Sequence, residues 1–401
     1  MFHKVRLFTP TVWLVVCATM AARFTFFMVW PYLAVFLHED HALNPWQIGA
    51  FLTTAGAIGV CAGFYVGYLS DRFGRRRVIL SGLIVSMTSL SLLAISGNLL
   101  IIMAAMTAQS IARGAIETPG KALMTDVLDD REAKDLALHA RYYALNIGAA
   151  FGPVVGAYWG LTGHKLTFLL VASVMALYFV VAVLVFFRLD PAPVSSKPAS
   201  SFSFFDVLQV LRSDRVFLIF VLAMALGGVG YAQIDSGLVQ YFTLSGEIDV
   251  RAFFPYVVLL NGMTVLVFQF PLLALMRRVA PFLRAMIGIL LLSLSFAMLA
   301  IVPITSKALI LLSIFVLSLG EVILFPTAQV LIDRLAPDEM KGSYFGAAAM
   351  AGFGFVAGPL VGGWLLHLGG GAFLWWGMAI LCGVVALLYR GAERLRPSKT
   401  A

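Results

Sequence analysis

The chain has 401 residues, of which 61% are hydrophobic and only 12% are charged, and its net charge is +8. A soluble globular domain carries about 45–50% apolar and about 25% charged residues, so this composition excludes a soluble protein and indicates one embedded in lipid. The positive charges lie in short loops between apolar runs, with no basic arm rich in aromatic residues, and we therefore expect no nucleic-acid partner.

Apolar segments long enough to cross a bilayer recur along the whole chain, since a membrane-spanning helix needs about 20 apolar residues. The first six run approximately over 11–37, 46–70, 77–96, 99–126, 137–162 and 166–188. The second six run approximately over 216–243, 252–276, 282–303, 306–332, 342–367 and 371–390. The sequence therefore predicts an all-α membrane protein with twelve transmembrane helices.

The 28 lysine and arginine residues are distributed unequally between the two sides of these predicted spans. If the N-terminus lies in the cytoplasm, the outer loops contain only Lys165, Arg251 and Lys307, and the other loop charges fall on the cytoplasmic side. Positively charged loops are retained in the cytoplasm. We therefore predict a multi-pass protein of the cell inner membrane with both termini in the cytoplasm.

A repeat relates the two halves, because residues 118–156 resemble residues 325–362. The matched positions are Pro119 and Pro326, Asp126 and Asp333, and the pairs Gly152-Pro153 and Gly358-Pro359. Two halves related by an axis along the membrane normal are an arrangement found in transporters. We predict six-helix bundles at 1–188 and 216–401, joined by a cytoplasmic linker at 189–215 with a short helix near Phe204–Leu211.

Two short motifs carry a family resemblance. The loop "GYLSDRFGRRR" at 67–77 resembles the signature loop of the major facilitator superfamily, and "NIGAAFGPVVG" at 146–156 is similar to the antiporter signature of that superfamily. The residues that match the first motif are Gly67, Asp71, Arg72, Gly74, Arg75 and Arg76. Those that match the second are Gly148, Gly152, Pro153 and Gly156.

The resemblance implies that the first motif acts as a conformational latch, a contact on the cytoplasmic face that holds one state of the transporter. In the family, the loop aspartate meets the start of span eleven, and a basic residue pairs with the acid that ends span four. The resemblance implies that Asp71, Arg75 and Asp126 have these roles here, with Gly67, Arg72 and Gly74 in the same loop.

The whole chain resembles the twelve-span drug:proton antiporters of this superfamily, such as LmrP-like and MdtH-like exporters. The similar elements are Asp235 in span seven and the run at 320–346. Arg141 departs from the pattern of LmrP-like members, which carry an acid at that position. The resemblance implies a proton-coupled monomeric exporter of small amphipathic compounds, with protons and membrane lipid as further partners and with no cofactor or metal.

Charged residues inside membrane spans are rare and usually face a cavity or a partner. In this chain they are Arg23, Arg113, Glu117, Lys121, Arg141, Asp235 and Glu321. Family folds place spans one, four, seven and ten around a central cavity, which implies proton coupling by Asp235, Glu321 and Glu117. The residues expected in the substrate cavity are Arg23, Arg113, Gln233, Tyr231 and Asn261.

Each of these assignments has a structural alternative. Arg113, Glu117 and Lys121 are spaced four apart and share one helix face, so they could form a self-neutralising ladder. We expect Arg113 and Arg141 to adjust neighbouring carboxylates, without being primary contacts of the substrate. Glu321 could pair permanently with Arg23 or Arg113 for packing alone.

Other functions remain open from the sequence. The runner-up is a dedicated metabolite, peptide or siderophore exporter of the same fold, and an importer is a further alternative. A membrane enzyme is disfavoured, since no H-E-x-x-H, G-x-S-x-G or Walker pattern occurs. Cys17, Cys61 and Cys382 are isolated within apolar segments and are predicted to be buried structural thiols.

Overall fold

The computed structural model describes residues 2–29, 37, 41, 45–158, 165–190 and 204–395, and the part 191–203 of the predicted linker lies outside them. The described residues are almost entirely helical and contain no strand. The first half contains α1 (Pro10–Val29), α2 (Pro45–Phe73), α3 (Arg75–Ile95), α4 (Leu99–Asp126), α5 (Arg131–Tyr158) and α6 (Lys165–Leu184). The second half contains α7 (Phe204–Ser213), α8 (Arg215–Tyr231), α9 (Gly237–Ser245), α10 (Val250–Leu275), α11 (Pro281–Ile301), α12 (Lys307–Leu335), α13 (Lys341–Ala349) and α14 (Gly352–Leu395).

These helices coincide with the predicted apolar segments, and eight described helical segments are long and apolar enough to cross a membrane. The short helix predicted near Phe204–Leu211 is present as α7. Two predicted spans are interrupted. Span seven is divided into α8 and α9 by a turn at 232–236, and span eleven is divided between α13 and the start of α14. Within α14 a kink at Gly369 and Gly370, where φ of Gly370 is 70°, separates the last two predicted spans.

The chain divides into two compact units. The first comprises Met1–Val207 together with Ala336–Met350, and the second comprises Leu208–Leu335 together with Ala351–Ala401. Helix α13 therefore packs with the first unit, although it follows α12 in the sequence. This assignment brings the start of predicted span eleven next to the loop between α2 and α3.

The first unit is built from pairs of packed helices. Helix α5 lies along α1, α3 lies against α4 and α6, and α2 lies against α4 and α13. The shared core contains Ile79, Leu83, Ile102 and Leu123, which are fully buried. Large apolar side chains also lie on the outside, among them Leu100 at 75% exposed. Such a surface is unfavourable in water and is the expected surface towards lipid tails.

The second unit repeats this plan. Helix α14 packs along α8 and α11, and α12 packs against α11 and α10. Serine hydroxyls add hydrogen bonds between these helices: Ser293 donates to the Ala379 carbonyl at 2.7 Å, and Ser295 donates to the Ser313 carbonyl at 2.6 Å. Hydrogen bonds of this kind contribute to helix association in lipid, where apolar burial gives no net driving force.

Glycines set the closest helix contacts in both units. A Cβ atom on Gly148 or Gly152 of α5 would overlap the backbone of α1 at Met20 and Phe24. At the equivalent position of the second half, a Cβ on Gly358 of α14 would overlap Ala232 at the end of α8. Small residues spaced four apart permit this backbone approach. Span five therefore packs on span one in the same way that span eleven packs on span seven.

The prediction of three buried thiols is wrong for two of them. Cys382 is buried, whereas Cys17 and Cys61 are exposed. An apolar segment in a membrane protein has a face towards lipid as well as a face towards protein, and the hydropathy of the segment does not distinguish these two faces. Residues of the segment 42–44 and of 159–164 lie outside the described residues.

We predict that Gly152→Ala lowers the thermal unfolding midpoint of the purified protein, because the added methyl group overlaps the Phe24 carbonyl of α1. Overpacking of this kind costs about 1–3 kcal/mol. The matched control is Gly56→Ala in α2, where a Cβ meets no atom within 4 Å. The control is expected to leave the midpoint unchanged or slightly raised, because alanine has the higher helix propensity. Equal midpoints for the two variants would contradict the close packing of α5 on α1.

Candidate functional site

The loop between α2 and α3 places a carboxylate at the N-terminus of α13. Gly74 has a φ of 92°, a left-handed conformation that favours glycine, and it lets the chain reverse between the two helices. Asp71 accepts hydrogen bonds from the backbone N–H groups of Gly342 at 2.9 Å and Ser343 at 2.7 Å, and from the Ser343 hydroxyl at 2.7 Å. A helix N-terminus presents unsatisfied N–H groups and a positive dipole end, so it attracts a carboxylate. Gly67 lies against the backbone of Gly342.

Burial raises the pKa of Asp71 from its ordinary value, and this rise is opposed by Arg75 and by the hydrogen bonds from Ser343 and Gly342. Arg75 joins this carboxylate to a second one. Its Nη1 atom lies 2.7 Å from Asp126, and its Nη2 atom lies 3.5 Å from Asp71. The ammonium group of Lys341 lies 3.9 Å from Asp126. Arg75 and Lys341 are both buried, so these contacts tie together α2, α3, α4 and α13.

The remaining arginines of this loop have different contacts. Arg72 donates to the Tyr68 hydroxyl at 2.8 Å and lies over the Phe73 ring, so the structure does not bring it to the Asp71 carboxylate. Arg76 donates to the carbonyls of Phe186 at 2.7 Å and Asp190 at 2.8 Å, at the end of α6. The family motif treats Arg72, Arg75 and Arg76 as one group because they are close in sequence. In the structure each of these arginines has different contact partners.

A group of charged residues inside the first unit forms what we call the cation cluster: Arg23 of α1, Arg113, Glu117 and Lys121 of α4, and Arg141 of α5. The Glu117 carboxylate lies 3.4 Å from Arg23 Nη2 and 3.9 Å from Arg141 Nη2. The ion-pair partners of Glu117 thus lie on α1 and α5, and not on its own helix α4 as the predicted ladder required. The charges of Arg113 and Lys121 on α4 also act on Glu117 from a longer distance.

Aromatic rings flank two of these cations. The Arg113 guanidinium lies 5.2 Å from the centre of the Phe26 ring, and the Lys121 ammonium lies 6.0 Å from the centre of the Phe345 ring. A cation over an aromatic face gains about 0.5–2 kcal/mol, depending on its exposure to water. These contacts hold the two side chains without neutralising their charge.

Glu321 lies on α12 in the second unit and is 3% exposed. It accepts a hydrogen bond from the Asn261 amide on α10, and the same amide group donates to the Ser318 hydroxyl at 3.0 Å. Asn261 was predicted for the substrate cavity, and the structure places it in direct contact with the predicted proton-coupling acid. The role of both residues stays a prediction.

The other predicted residues of the second unit surround the break between α8 and α9. Asp235 lies in this break, and its side chain is exposed, with no hydrogen bond or ion pair to any residue that the structure describes. Gln233 is fully buried, and its amide group donates to the carbonyls of Val229 and Gly358, each at 2.9 Å. The Tyr231 ring packs edge-on against Phe325, with ring centres 4.8 Å apart. Gln233 and Tyr231 therefore have packing contacts within the unit.

A cavity of about 320 Å³ lies between α2, α3 and α4. Its lining is mostly apolar, including Leu69, Val78 and Ile111, and it contains none of the cation cluster. The described residues contain no group of histidine, cysteine and acidic side chains that could hold a metal ion. The charged residues therefore mark the candidate site better than the cavity does.

Two contacts of the candidate site were missed from the sequence. Ser343 and Lys341 lie at the N-terminus of α13, where they meet Asp71 and Asp126. The family resemblance had indicated where these contacts lie, because it implied that Asp71 meets the start of span eleven. Backbone N–H groups have no sequence signature, and Lys341 was interpreted only as a cytoplasmic loop charge.

Comparison with known proteins identifies the family. Residues 15–353 match the model of the Major Facilitator Superfamily. The MFS-type transporter YqjV of Bacillus subtilis strain 168 is 29% identical over 381 residues, covering 94% of this chain and 92% of that protein. The Na⁺, Li⁺, K⁺/H⁺ antiporter of Planococcus maritimus is 26% identical over 357 residues, covering 81% of this chain and 82% of that protein.

Solved structures show the same fold. The E. coli fucose:proton symporter FucP superposes with a TM-score of 0.73 at 18% identity, covering 94% of this chain and 98% of that one. This likeness concerns the arrangement of the helices. It carries no information about the compound that this chain moves.

We predict that Asp71→Asn increases amide hydrogen exchange at the start of α13, at Gly342 and Ser343. The variant loses a charge-assisted acceptor, and such a hydrogen bond contributes about 1.5–3 kcal/mol, so exchange should rise roughly tenfold or more. Hydrogen exchange with mass spectrometry on the protein in lipid nanodiscs measures this change. The control is Asp129→Asn, an exposed aspartate that precedes α5. Unchanged exchange in Asp71→Asn would show that this carboxylate does not hold α13.

Proposed function

Because the chain belongs to the major facilitator superfamily of membrane transporters, we propose that it is a proton-coupled antiporter that exports small amphipathic compounds. The observation that carries the proposal is Glu321, an acid buried inside a predicted span and held by the Asn261 amide. Acids inside membrane spans commonly mark proton pathways. Asp235, exposed in the break of span seven, is the proposed second member of the pair.

The proposed mechanism uses the two carboxylates as proton carriers. A carboxylate that loads a proton loses its charge, so its protonated and ionised forms can favour different states of the transporter. Proton loading and compound binding are thus coupled, and the alternation of the transporter between two open states determines which side each ligand reaches. Both termini lie in the cytoplasm in this proposal, and the protein works as a monomer.

The antiport direction has two supports. Gly148 and Gly152 of the antiporter-like motif lie at the contact of α5 with α1, so the motif falls on a real helix interface. The Planococcus maritimus relative is named as an antiporter of monovalent cations and protons. Multidrug export is the finer part of the proposal and rests on the sequence resemblance to drug:proton antiporters. Export of a single dedicated metabolite is the alternative for the same fold.

Exchange of monovalent cations for protons is a second candidate function. The Planococcus maritimus antiporter favours it, and Asp235 is an exposed carboxylate without an ion-pair partner among the described residues. Addition of NaCl, LiCl or KCl alone to the protein separates this candidate from export of organic compounds. Proton release on salt addition would support cation exchange.

We predict that Glu321→Gln and Asp235→Asn each reduce proton release when a transported compound is added to the purified protein. Neither variant can carry a proton at the altered position, so release should fall by about half or more for two equivalent carriers. A pH-sensitive dye in weakly buffered detergent solution reports the released protons, and proteoliposomes with an imposed proton gradient report uphill movement of the compound.

The control for this experiment is Glu247→Gln, which removes an exposed acid that follows α9. This variant should release protons as the wild type does. Full proton release and full uphill export in both Glu321→Gln and Asp235→Asn would place the coupling groups elsewhere. Each variant must first elute from size-exclusion chromatography as a single symmetric peak like the wild type, which shows that it is not aggregated.

A further inference from the structure

The cation cluster has an excess of positive charge. Its four basic side chains lie around one carboxylate, that of Glu117, whose charge acts on Lys121, Arg113 and Arg141. The five residues come from α1, α4 and α5, so tertiary packing of the first unit brings them together. Three positive charges are left without a protein counter-charge in this part of the chain that the structure describes.

An excess of this size is costly where a side chain is removed from water, as the buried Arg141 is. Removing an ion from water costs several kcal/mol in real proteins, unless a partner of opposite charge compensates it. Glu117 cannot neutralise all four cations, and the aromatic contacts of Arg113 and Lys121 leave their charges in place. For packing alone, apolar side chains of similar volume are often as stabilising as buried charges, or more so.

Arg141 provides an independent indication of a ligand. It is 5% exposed, and its Nε–H group has no hydrogen-bond partner among the residues that the structure describes. Its contact with Glu117 is long, at 3.9 Å. Arg23 also has a buried Nε–H group without a hydrogen-bond partner in the described part of the chain. Buried arginine N–H groups are almost always hydrogen-bonded, so these two donors indicate a site for an acceptor supplied by a ligand.

We propose that the cation cluster binds the anionic group of the transported compound, so that the substrates are amphipathic compounds bearing a carboxylate, sulfonate or phosphate. The proposal rests on the transport function proposed above. Arginine presents several N–H donors in a plane that matches such oxygen groups. The Phe26 and Phe345 rings at the cluster are suited to the apolar body of the same compound.

Glu117 has a defined part in this proposal. Its carboxylate occupies the cluster when no compound is bound, and it contacts Arg23 and Arg141 at longer distances than a strong ion pair requires. An incoming anion then competes with Glu117 for the same donors. Removal of the Glu117 charge should therefore strengthen anion binding, whereas a purely structural carboxylate would give the opposite effect.

Binding to the full-length protein in phosphatidylcholine nanodiscs tests the proposal by calorimetry, with empty nanodiscs as the blank. The probes share one butylphenyl body: para-butylbenzoate, para-butylbenzenesulfonate and para-butylphenyl phosphate are compared with para-butylbenzyl alcohol and para-butylbenzylamine. We expect at least one anion to bind about tenfold more tightly than the alcohol, which corresponds to about 1.4 kcal/mol. Anions that bind no better than the alcohol, or an amine that binds best, would overturn the proposal.

Variants connect the binding to the cluster. Arg141→Gln should reduce anion affinity by about tenfold, Arg141→Lys should restore part of it, and Glu117→Gln should increase it about threefold or more, in line with the energies of charged hydrogen bonds. Lys307→Gln, which removes an exposed cation at the start of α12, should leave it unchanged. If Arg141→Gln fails to fold, Arg113→Gln, whose side chain is exposed, carries the test. If both arginine variants keep the anion affinity of the wild type, the proposed site is refuted.

A lipid headgroup has the same chemistry as a soluble anion, so a further arm separates the two sources. Nanodiscs containing phosphatidylglycerol should weaken probe binding by less than twofold if the cluster serves a transported compound. Loss of probe binding in these nanodiscs would assign the cluster to a structural lipid and overturn the proposal. Anion binding without proton release would refute the proposed antiport function and still support the anion site.

Proton release on addition of the amine alone, without anion binding, would support antiport and refute the anion site.

Discussion

An ionised side chain that is buried in the protein has no bulk water around it, and this constraint governs the polar structure of the molecule. Each buried charge needs a partner from the protein, from water or from a ligand. The Asp71 carboxylate has two backbone donors and a hydroxyl at the N-terminus of α13. Glu321 has an amide donor, and Arg75 has two carboxylates. In the cation cluster alone, among these groups, the protein partners are fewer than the charges.

The same constraint accounts for the position of the Asp71 carboxylate at the start of α13. Helix α13 packs with the first unit, although the chain segments on both sides of it belong to the second. Charge-assisted hydrogen bonds, each worth about 1.5–3 kcal/mol, fix its N-terminus there. The buried side chains of Tyr344 and Phe345 add apolar packing to these contacts.

The helices were predictable because apolar length is a local property of the sequence. The start of α4 at Leu99 and its end at Asp126 agree with the predicted span at 99–126. The break of span seven at 232–236 was not predicted, since no proline interrupts the apolar run there. The burial of Lys341 and the exposure of Cys17 also escaped prediction, because each depends on which face of a helix meets protein. The motif glycines were predictable because they form a local sequence pattern. The partners of Glu117 were not, because they depend on how α1 and α5 pack against α4.

The two halves share a backbone plan and differ in charge. Gly152 and Gly358 occupy equivalent positions of the repeat and make equivalent close contacts, with α1 and with the end of α8. The inner charges do not follow this symmetry: the first half concentrates basic residues around Glu117, whereas spans seven and ten of the second half carry Asp235 and Glu321. A repeat that preserves packing while the charges diverge indicates separate tasks for its halves. The division of tasks that we propose from these charges is anion recognition by the first unit and proton exchange by the second.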